Sequence, residues 1–418
     1  MIYKRIIKFA IFFIILDIFI SISYFTKLYL EKKGYLLMAD KFHFTRFFIF
    51  PFLKTGLEKL PKEIKFVGFS DRIGSKTIYT ADSILGWRLT KNVAEMKTPH
   101  MTYKPSIRIT NSQGFASSGE YNYVYNIKKE KNVFRVIVLG SSPIFGDGAE
   151  SIKDNLTAKI KEELKKEINT KKLELINAGV GGYHSGLQLM YLTTKMRFYE
   201  PDLVIVYGGL DEVENSRTNK KINEDLYYTN EHQKININYN RQYNLIGSTK
   251  IFFDGILITT KQLLNGSSIY YFSQRVFKFL NQNFKKSEKR KTKKIDNKYI
   301  DSYMSLFYKK NLETIINIAK INNFKIAIFS QPTKKLVDNN DFYYKYQMNF
   351  YNKARLMLND LALEYNESQK VCISSEYLGN FKNTSLRYWE DNAHLLGVGN
   401  EIVAKKISLI LKDCKFFN

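Results

Sequence analysis

The stretch of sequence that decides the fold spans residues 133–146 and consists of VFRVIVLGSSPIFG. Residues 133–139 form a Val- and Ile-rich apolar run that one charge, Arg135, interrupts, and Gly140 ends it. Such a run is typical of a strand buried on both faces of a parallel sheet. The small and hydroxyl-bearing residues after it predict a tight turn that presents a serine at the carboxyl end of the strand.

Strand and helix patterns alternate on both sides of this stretch. Further apolar runs predict strands at 173–176, 203–207 and 324–329. Helical spacing predicts helices at 156–167, 187–198, 343–365 and 398–411. This alternation predicts an α/β fold with a doubly wound parallel sheet. In an open sheet of this kind, ligands bind beyond the carboxyl ends of the strands, so the loops there are the candidate site.

The remaining sequence predicts three further parts. Residues 1–26 are a candidate membrane helix, and residues 27–130 form a membrane-proximal accessory region with short strands and turns. The main domain spans residues 131–418 and contains an insertion at about 216–300, where the alternating pattern stops. The insertion ends in a basic loop over residues 281–298.

The N-terminal segment has the character of a membrane anchor. Lys4, Arg5 and Lys8 precede an apolar run that extends to residue 25. A spanning helix needs roughly 20 apolar residues, and residues 6–25 suffice if Lys8 snorkels to the interface. A buried core helix fits less well, because the run is apolar all round, and a cleaved signal peptide is the closer alternative. We predict an uncleaved anchor with the main domain on the outer side.

The net charge of the chain is +25, from 65 Lys and Arg against 40 Asp and Glu. No nucleic-acid motif accompanies this charge, so no nucleic-acid partner is expected. The basic clusters beside the anchor and in the insertion suit binding to anionic lipid or envelope polymer.

The chain contains only 2 Cys, which excludes a disulfide-rich scaffold. No group of His, Cys and carboxylate residues has the sequence spacing of metal ligands. We expect neither a metal nor a cofactor. Outside the cytoplasm, Cys372 and Cys414 are permitted but not required to pair.

A nucleophilic serine needs a base, and the base needs a carboxylate that orients it. Of the 5 His in the chain, two have an Asp three residues before them, His43 and His394, and His43 lies near the candidate membrane segment. His394 and Asp391 are therefore the candidate base and its orienting carboxylate, and a serine of the turn after the strand at 133–139 is the candidate nucleophile. The four loops that follow predicted strands or precede the last helix are residues 140–146, 177–183, 208–212 and 391–394.

These loops resemble, in order and spacing, the consensus blocks of the SGNH/GDSL hydrolase family. The first block places Ser142 at the nucleophile, and the second places Gly182 at the oxyanion-hole glycine. The last block, Asp-x-x-His, is matched by Asp391 and His394. The resemblance implies a three-layer, flavodoxin-like sandwich and a Ser–His–Asp triad. It also implies an oxyanion hole formed by Ser142, Gly182 and Asp211.

Two positions depart from the family pattern. Ser141 stands where the first block has Asp, a change expected to affect turn geometry more than chemistry. Asp211 stands where the third block has an Asn that donates its amide to the oxyanion. An ionised carboxylate there would repel the developing charge, and the loss of one donor costs on the order of 3–4 kcal/mol in the barrier. A protonated Asp211, which needs a raised pKa, would restore the donor.

The segments 86–88 and 111–114 resemble the leader of membrane-anchored bacterial members of the family. The resemblance implies a serine ester hydrolase that removes or transfers acyl or acetyl groups on a cell-envelope glycan or lipid. The implied location is the outer side of a bacterial cytoplasmic membrane. Because of Asp211, the alternative is a catalytically lapsed domain that binds an envelope glycan or a partner enzyme.

Overall fold

The computed structural model describes most of the chain from residue 61 onward. The described ranges are 61–70, 78–97, 106–121, 123–218, 297–333, 342–376, 378, 388–391 and 393–417, with six helical positions between residues 8 and 19. The described residues from 61 onward belong to one compact unit. Most of the predicted insertion lies outside these ranges, as does the predicted anchor at 6–25 apart from the six positions. Among the helices in the described ranges, none has the length and apolarity needed to cross a membrane.

Ten strands are described. In chain order they are β1 (Lys65–Ser70), β2 (Tyr79–Asp82), β3 (Gly86–Leu89), β4 (Val93–Lys97), β5 (Ser106–Ile109), β6 (Val133–Gly140), β7 (Lys172–Gly179), β8 (Leu203–Gly208), β9 (Lys325–Ser330) and β10 (Val371–Ser374). The α-helices from residue 61 onward are α1 (Ser142–Phe145), α2 (Leu156–Glu167), α3 (Ser185–Thr194), α4 (Leu210–Thr218), α5 (Asn297–Tyr303), α6 (Lys309–Ile321), α7 (Phe342–Tyr365) and α8 (Gly397–Asp413). A π-helical turn, Met304–Tyr308, joins α5 to α6.

Five of these strands form the central sheet. Its order is β10-β9-β8-β6-β7, and every neighbouring pair is parallel. With the five strands numbered along the chain this is the order 2-1-3-4-5, which is that of flavodoxin-like doubly wound folds. The predicted α/β fold with a parallel sheet is therefore confirmed. The strand β10 was not predicted from the sequence, because a strand of four residues carries too little pattern to be recognised.

Helices cover both faces of the sheet. On β6, Ile137 and Leu139 point into one apolar core, while Val136 and Val138 point into the other. The first core is closed by α3, α6 and α7, and the second by α2 and α8. All four of these β6 side chains are fully buried, as expected for a strand between two helical layers. The result is a three-layer sandwich.

The charge that interrupts β6 is neutralised within the sheet. Arg135 lies directly opposite Glu174 on β7. Its Nη2 donates to Glu174 Oε2 at 2.7 Å, and its Nη1 donates to the carbonyl oxygens of Ile127 and Tyr199. Both charged side chains are buried. A cross-strand ion pair thus allows a central strand to contain an arginine.

The residues before β6 form two small sheets. In the first, β4 pairs in parallel with β1 and antiparallel with β5. In the second, β2 and β3 form an antiparallel hairpin. Ile78, Trp87 and Phe115 from this region are buried in the same core as the helices α3 and α6. The accessory strands therefore pack directly onto the α/β sandwich.

A disulfide joins the last strand to the last helix. It connects Cys372 on β10 to Cys414 at the end of α8, with the two Cα atoms 6.0 Å apart. Cys372 is completely buried beneath α8. The pairing that the sequence left open is thus present in the structure.

Candidate active site

Ser142 stands where β6 passes into α1. The strand ends at Gly140, and the short helix begins at Ser142, followed by Pro143. Proline suits a first helical turn, because its missing N–H has no helical acceptor there. Ser142 is half-buried, whereas its neighbour Ser141, at the position of the family's Asp, is buried. The strand-to-helix turn presents the Ser142 hydroxyl at the carboxyl edge of the sheet.

His394 and Asp391 come from the loop before α8. The Nδ1 of His394 lies 2.8 Å from Asp391 Oδ2. The other carboxylate oxygen, Oδ1, accepts from the backbone N–H groups of Ala393 and His394, both at 2.8 Å. These contacts hold the carboxylate in the plane that the imidazole requires. Burial works to raise the pKa of Asp391, but the charge of His394 and the three hydrogen bonds outweigh it, so the pKa lies well below its ordinary value.

The serine and the histidine are within hydrogen-bonding distance although 252 residues separate them. Ser142 Oγ lies 2.8 Å from His394 Nε2. Because the ionised Asp391 accepts from Nδ1–H, the neutral imidazole has its free lone pair on Nε2, where it accepts from the Ser142 hydroxyl. The structure thus brings together the three residues that the sequence proposed. This arrangement is able to deprotonate an attacking serine.

The glycine-rich loop after β7 lies beside Ser142. Asn177 anchors it: its Oδ1 accepts from Gly179 N at 3.0 Å, and its Nδ2 donates to Ile144 O in α1 at 2.8 Å. Gly182 has φ +84, and a Cβ there would meet the Trp87 ring at 2.9 Å. Only glycine satisfies both conditions, since this φ is disfavoured for other residues and the ring leaves no room.

The β2–β3 hairpin covers the same loop from the accessory side. Trp87 Nε1 donates to Gly181 O at 3.0 Å, and Tyr183 Oη donates to Trp87 O. A Cβ at residue 181 would collide with the Tyr79 hydroxyl and would lie 3.9 Å from the Ser142 Cβ. The hairpin therefore holds the loop in shape and contributes Tyr79 to the wall of the site. Sequence reasoning noted Trp87 only as part of a resemblance and missed Tyr79.

Asp211 lies in the first turn of α4, directly after β8 and Gly209. Glu212 follows it and is completely enclosed. The carboxylate of Glu212 accepts from Ser185 N at the start of α3 and from Tyr303 Oη at 2.6 Å. Burial raises the pKa of Glu212 to about 7, and the neighbouring charge of Asp211 adds to this. Glu212 thus ties α4 to the loop that carries Gly182.

Gln331, in the exit from β9, connects two further loops of the site. Its backbone N–H donates to Gly208 O at 2.8 Å, and its Nε2 donates to Ala393 O, also at 2.8 Å. The side chain is buried. It therefore fixes the His394 loop relative to the end of β8. This role of Gln331 was not predicted from the sequence.

One group among the described residues has the composition of a metal site. Glu390, Asp391 and His394 place potential ligand atoms within 4.8 Å of one another. However, both nitrogens of His394 and both oxygens of Asp391 are engaged in the hydrogen bonds described above. The Ser–His–Asp arrangement therefore accounts for this clustering.

No protein-family model matches the chain, and neither does any curated protein. Solved structures are similar in fold. A lipase/acylhydrolase from Enterococcus faecalis is 13% identical, with a TM-score of 0.37, over 67% of this chain and 96% of that one. An acetylxylan esterase from Geobacillus stearothermophilus is 13% identical, with a TM-score of 0.36, over 67% and 94%.

A two-domain esterase active on acetylated mannans is 13% identical, with a TM-score of 0.35, over 68% of this chain. This chain spans half the length of that esterase, 50%. Because the identities and TM-scores are low, the fold is assigned from the strand order and the chemistry from the site itself. The strand order assigns the described domain to the flavodoxin-like doubly wound α/β folds, and the order of its four loops and its Ser–His–Asp geometry resemble those of the SGNH/GDSL hydrolases.

Proposed function

We propose that the chain is a serine ester hydrolase of the SGNH type that removes or transfers acyl or acetyl groups. The observation that carries the proposal is the pair of 2.8 Å distances, from Ser142 Oγ to His394 Nε2 and from His394 Nδ1 to Asp391 Oδ2. Burying an ionised carboxylate behind a histidine costs desolvation free energy. The carboxylate stabilises the histidine most strongly when the ring becomes positively charged, as it does when it accepts a proton during a reaction.

In the proposed reaction the Ser142 oxygen attacks an ester carbonyl while His394 Nε2 takes the hydroxyl proton. The tetrahedral intermediate collapses as His394 returns that proton to the leaving alkoxide, and an acyl-enzyme remains. Water, or an acceptor hydroxyl, then attacks the acyl group with His394 again acting as base. Asp391 fixes the tautomer and stabilises the imidazolium throughout.

We assign the oxyanion hole to the backbone N–H groups of Ser142 and Gly182. The neighbouring Gly181 supports this role, because its Cβ position lies 3.9 Å from the Ser142 Cβ and so places the loop beside the serine. Asp211 lies at the edge of the hole by its position in the fold, and an ionised Asp211 opposes the negative charge that develops there. We therefore expect a slower enzyme at neutral pH than one with an amide at residue 211.

The proposed substrate is an acylated glycan or lipid of a cell envelope, reached by a catalytic domain on the outer side of a bacterial cytoplasmic membrane and anchored through residues 6–25. The Cys372–Cys414 disulfide supports an oxidising compartment, because such bonds are rare in the cytosol. The net charge of +25 supports attraction to anionic lipid or polymer.

The test is turnover of p-nitrophenyl acetate and of longer acyl esters by the purified protein, compared with Ser142→Ala and with Ser141→Ala as a matched control. We expect turnover that Ser142→Ala abolishes and Ser141→Ala retains. Turnover that survives Ser142→Ala at the same rate, or no turnover with any ester, would contradict the proposal.

A second candidate function follows from Asp211. A domain whose oxyanion site contains a carboxylate is a candidate binding module for an envelope glycan or a partner enzyme. Binding of an acylated glycan by both the wild type and Ser142→Ala, without turnover by either, would favour this function over catalysis.

A further inference from the structure

A second carboxylate approaches His394 from the side opposite Asp391. Asp147 lies in the turn after α1, where its N–H donates to Ser142 O at 2.9 Å. Its Oδ2 lies 3.8 Å from His394 Nε2, the nitrogen that contacts Ser142. The neighbouring Gly148 has φ +90, and a side chain there would collide with Leu395 O and press on the His394 Cβ. The turn is therefore packed tightly against the histidine loop.

An arginine from the accessory strands fixes this carboxylate. Arg108 on β5 donates from Nε to Asp147 Oδ1 and from Nη2 to Asp147 Oδ2, so both oxygens are held. Its Nη1 donates to Glu95 Oε2 on β4 at 3.1 Å, and its guanidinium lies 5.3 Å from the Phe145 ring centre. A two-armed arginine contact sets the plane of a carboxylate as well as its position.

All three members of this cluster are buried: Arg108 is 8% exposed, Asp147 4% and Glu95 1%. Burial works to lower the pKa of Arg108, but the charge of Asp147, with that of Glu95, outweighs it and raises the pKa above its ordinary value. The guanidinium thus stays charged at any working pH. One cation facing two carboxylates leaves a net negative charge next to the catalytic base.

A purely structural role explains part of this cluster, since it ties β4 and β5 to the loop after Ser142. Buried ion pairs are nevertheless a weak source of stability, because desolvation offsets most of the attraction. A purely structural ion pair also does not explain why the Asp147 Oδ2 lies within 4 Å of His394 Nε2, the nitrogen that exchanges the proton. A charge at that place acts on the imidazolium much more strongly than on the neutral ring.

We propose that Asp147, oriented by Arg108, is a positioning residue that stabilises the imidazolium of His394 from its Nε2 side. The inference rests on the proposed esterase function. The proton passes from Ser142 Oγ to His394 Nε2 as the bond from Oγ to the acyl carbon forms, and it later goes to the leaving alkoxide. Asp147 takes no proton. Its carboxylate lowers the energy of the charged ring between these two transfers.

Other charged or titratable groups lie near this part of the site and set the background against which Asp147 acts. They are Asp391 and Glu390 in the histidine loop, Glu150 and Asp154 beside Gly397, Tyr79 on β2, Glu95 on β4 and Arg108 on β5. Of these, Asp391 contacts the other ring nitrogen, and Glu95 lies beyond the guanidinium. Glu95 is therefore a matched control for Asp147, with the same charge and the same arginine but without the approach to Nε2.

The test is the pH dependence of kcat/KM for p-nitrophenyl acetate in Asp147→Asn and Glu95→Gln. Loss of the Asp147 charge destabilises the protonated ring, so the neutral base persists to lower pH. We expect the acid limb of the kcat/KM profile to shift to lower pH by about one unit in Asp147→Asn. The limb of Glu95→Gln is expected to stay within a few tenths of a unit of the wild type. An unmoved limb in Asp147→Asn, or equal movement in both variants, would overturn the proposal.

Titration of the His394 ring by NMR, assigned with His394→Gln, gives a readout without turnover. We expect the measured pKa of the His394 ring to be lower in Asp147→Asn than in the wild type, by the same amount as the acid limb shifts. If the wild type shows no Ser142-dependent turnover, the proposed function fails while this titration still decides the role of Asp147.

If Asp147→Asn does not fold, Arg108→Lys takes its place. It keeps the charge but loses one arm of the contact, and we expect a several-fold fall in kcat with KM within about twofold of the wild type. An unchanged kcat in that variant would refute the role.

Discussion

At the scale of single residues, the site combines a complete Ser–His–Asp arrangement with one substitution that works against it. Asp211 stands where the SGNH/GDSL family, which the four loops resemble, has an Asn whose side-chain amide donates a hydrogen bond. We predict that Asp211→Asn raises kcat/KM at neutral pH by about tenfold to a hundredfold, since one oxyanion-hole donor is worth about 10²–10³ in rate. Steady-state kinetics with a short acyl ester measure this.

The control is Asp211→Ala, which removes the charge without adding a donor. It is expected to fall between the wild type and Asp211→Asn. A loss of rate in both variants would mean that the carboxylate has a positive role of its own in the reaction.

A second prediction at this scale concerns the enclosed Glu212 and the pH dependence of the stability of the folded protein. Because burial raises its pKa from 4.5 to about 7, the folded state binds a proton that the unfolded state has released between these values. The stabilising contribution of the protonated form is complete below about pH 4.5 and is lost as the pH rises to about 7. We predict that Glu212→Gln, a neutral isostere, removes this dependence, so that its stability exceeds that of the wild type at pH 8 by up to about 3 kcal/mol.

Urea unfolding at pH 5 and pH 8 measures the difference, with Glu367→Gln, a change at an exposed carboxyl, as the control. Parallel pH dependence in the wild type and Glu212→Gln would refute the prediction.

At the scale of elements, the disulfide holds together the two elements at the end of the chain. It joins β10 to the end of α8, whose other end begins three residues after His394. Closing a loop between residues 42 apart stabilises the folded chain by about 4 kcal/mol in the chain-entropy model. We predict that reduction lowers the free energy of unfolding by about this amount.

Urea unfolding with and without a reductant checks this, and Cys372→Ala/Cys414→Ala provides a variant that should not respond to the reductant. Identical unfolding midpoints of the wild type under both conditions would show that the bond contributes nothing.

Some of these elements and contacts can be predicted from the sequence alone, and others cannot. The bounds predicted for α2 match the structure, because a long amphipathic pattern there begins at an Asn155 cap that accepts from Ala158 N. Ser142, His394 and Asp391 were found because short blocks recur in a fixed order. The Arg108–Asp147 pair was not, because its two residues lie 39 apart and become neighbours only when β5 packs beside α1. Contacts of that kind have no local pattern.

At the scale of the whole molecule, the described residues from 61 onward form one unit in which the accessory strands take part in the site. The hairpin holds the glycine loop through Trp87, and β5 holds Asp147 through Arg108. The accessory region thus contacts the proposed catalytic site at both of these places. The proposed anchor and the net charge of +25 would keep such a domain at an anionic envelope surface.

We propose that Ser142 is a nucleophile and that His394 activates it. Treatment of the folded protein with a fluorophosphonate probe, followed by peptide mass mapping, tests it most directly. We predict one covalent adduct, on Ser142, that is absent from Ser142→Ala and strongly reduced in His394→Ala. Failure of the folded wild-type protein to form an adduct at Ser142, or equal labelling of Ser142 in His394→Ala, would contradict the claim.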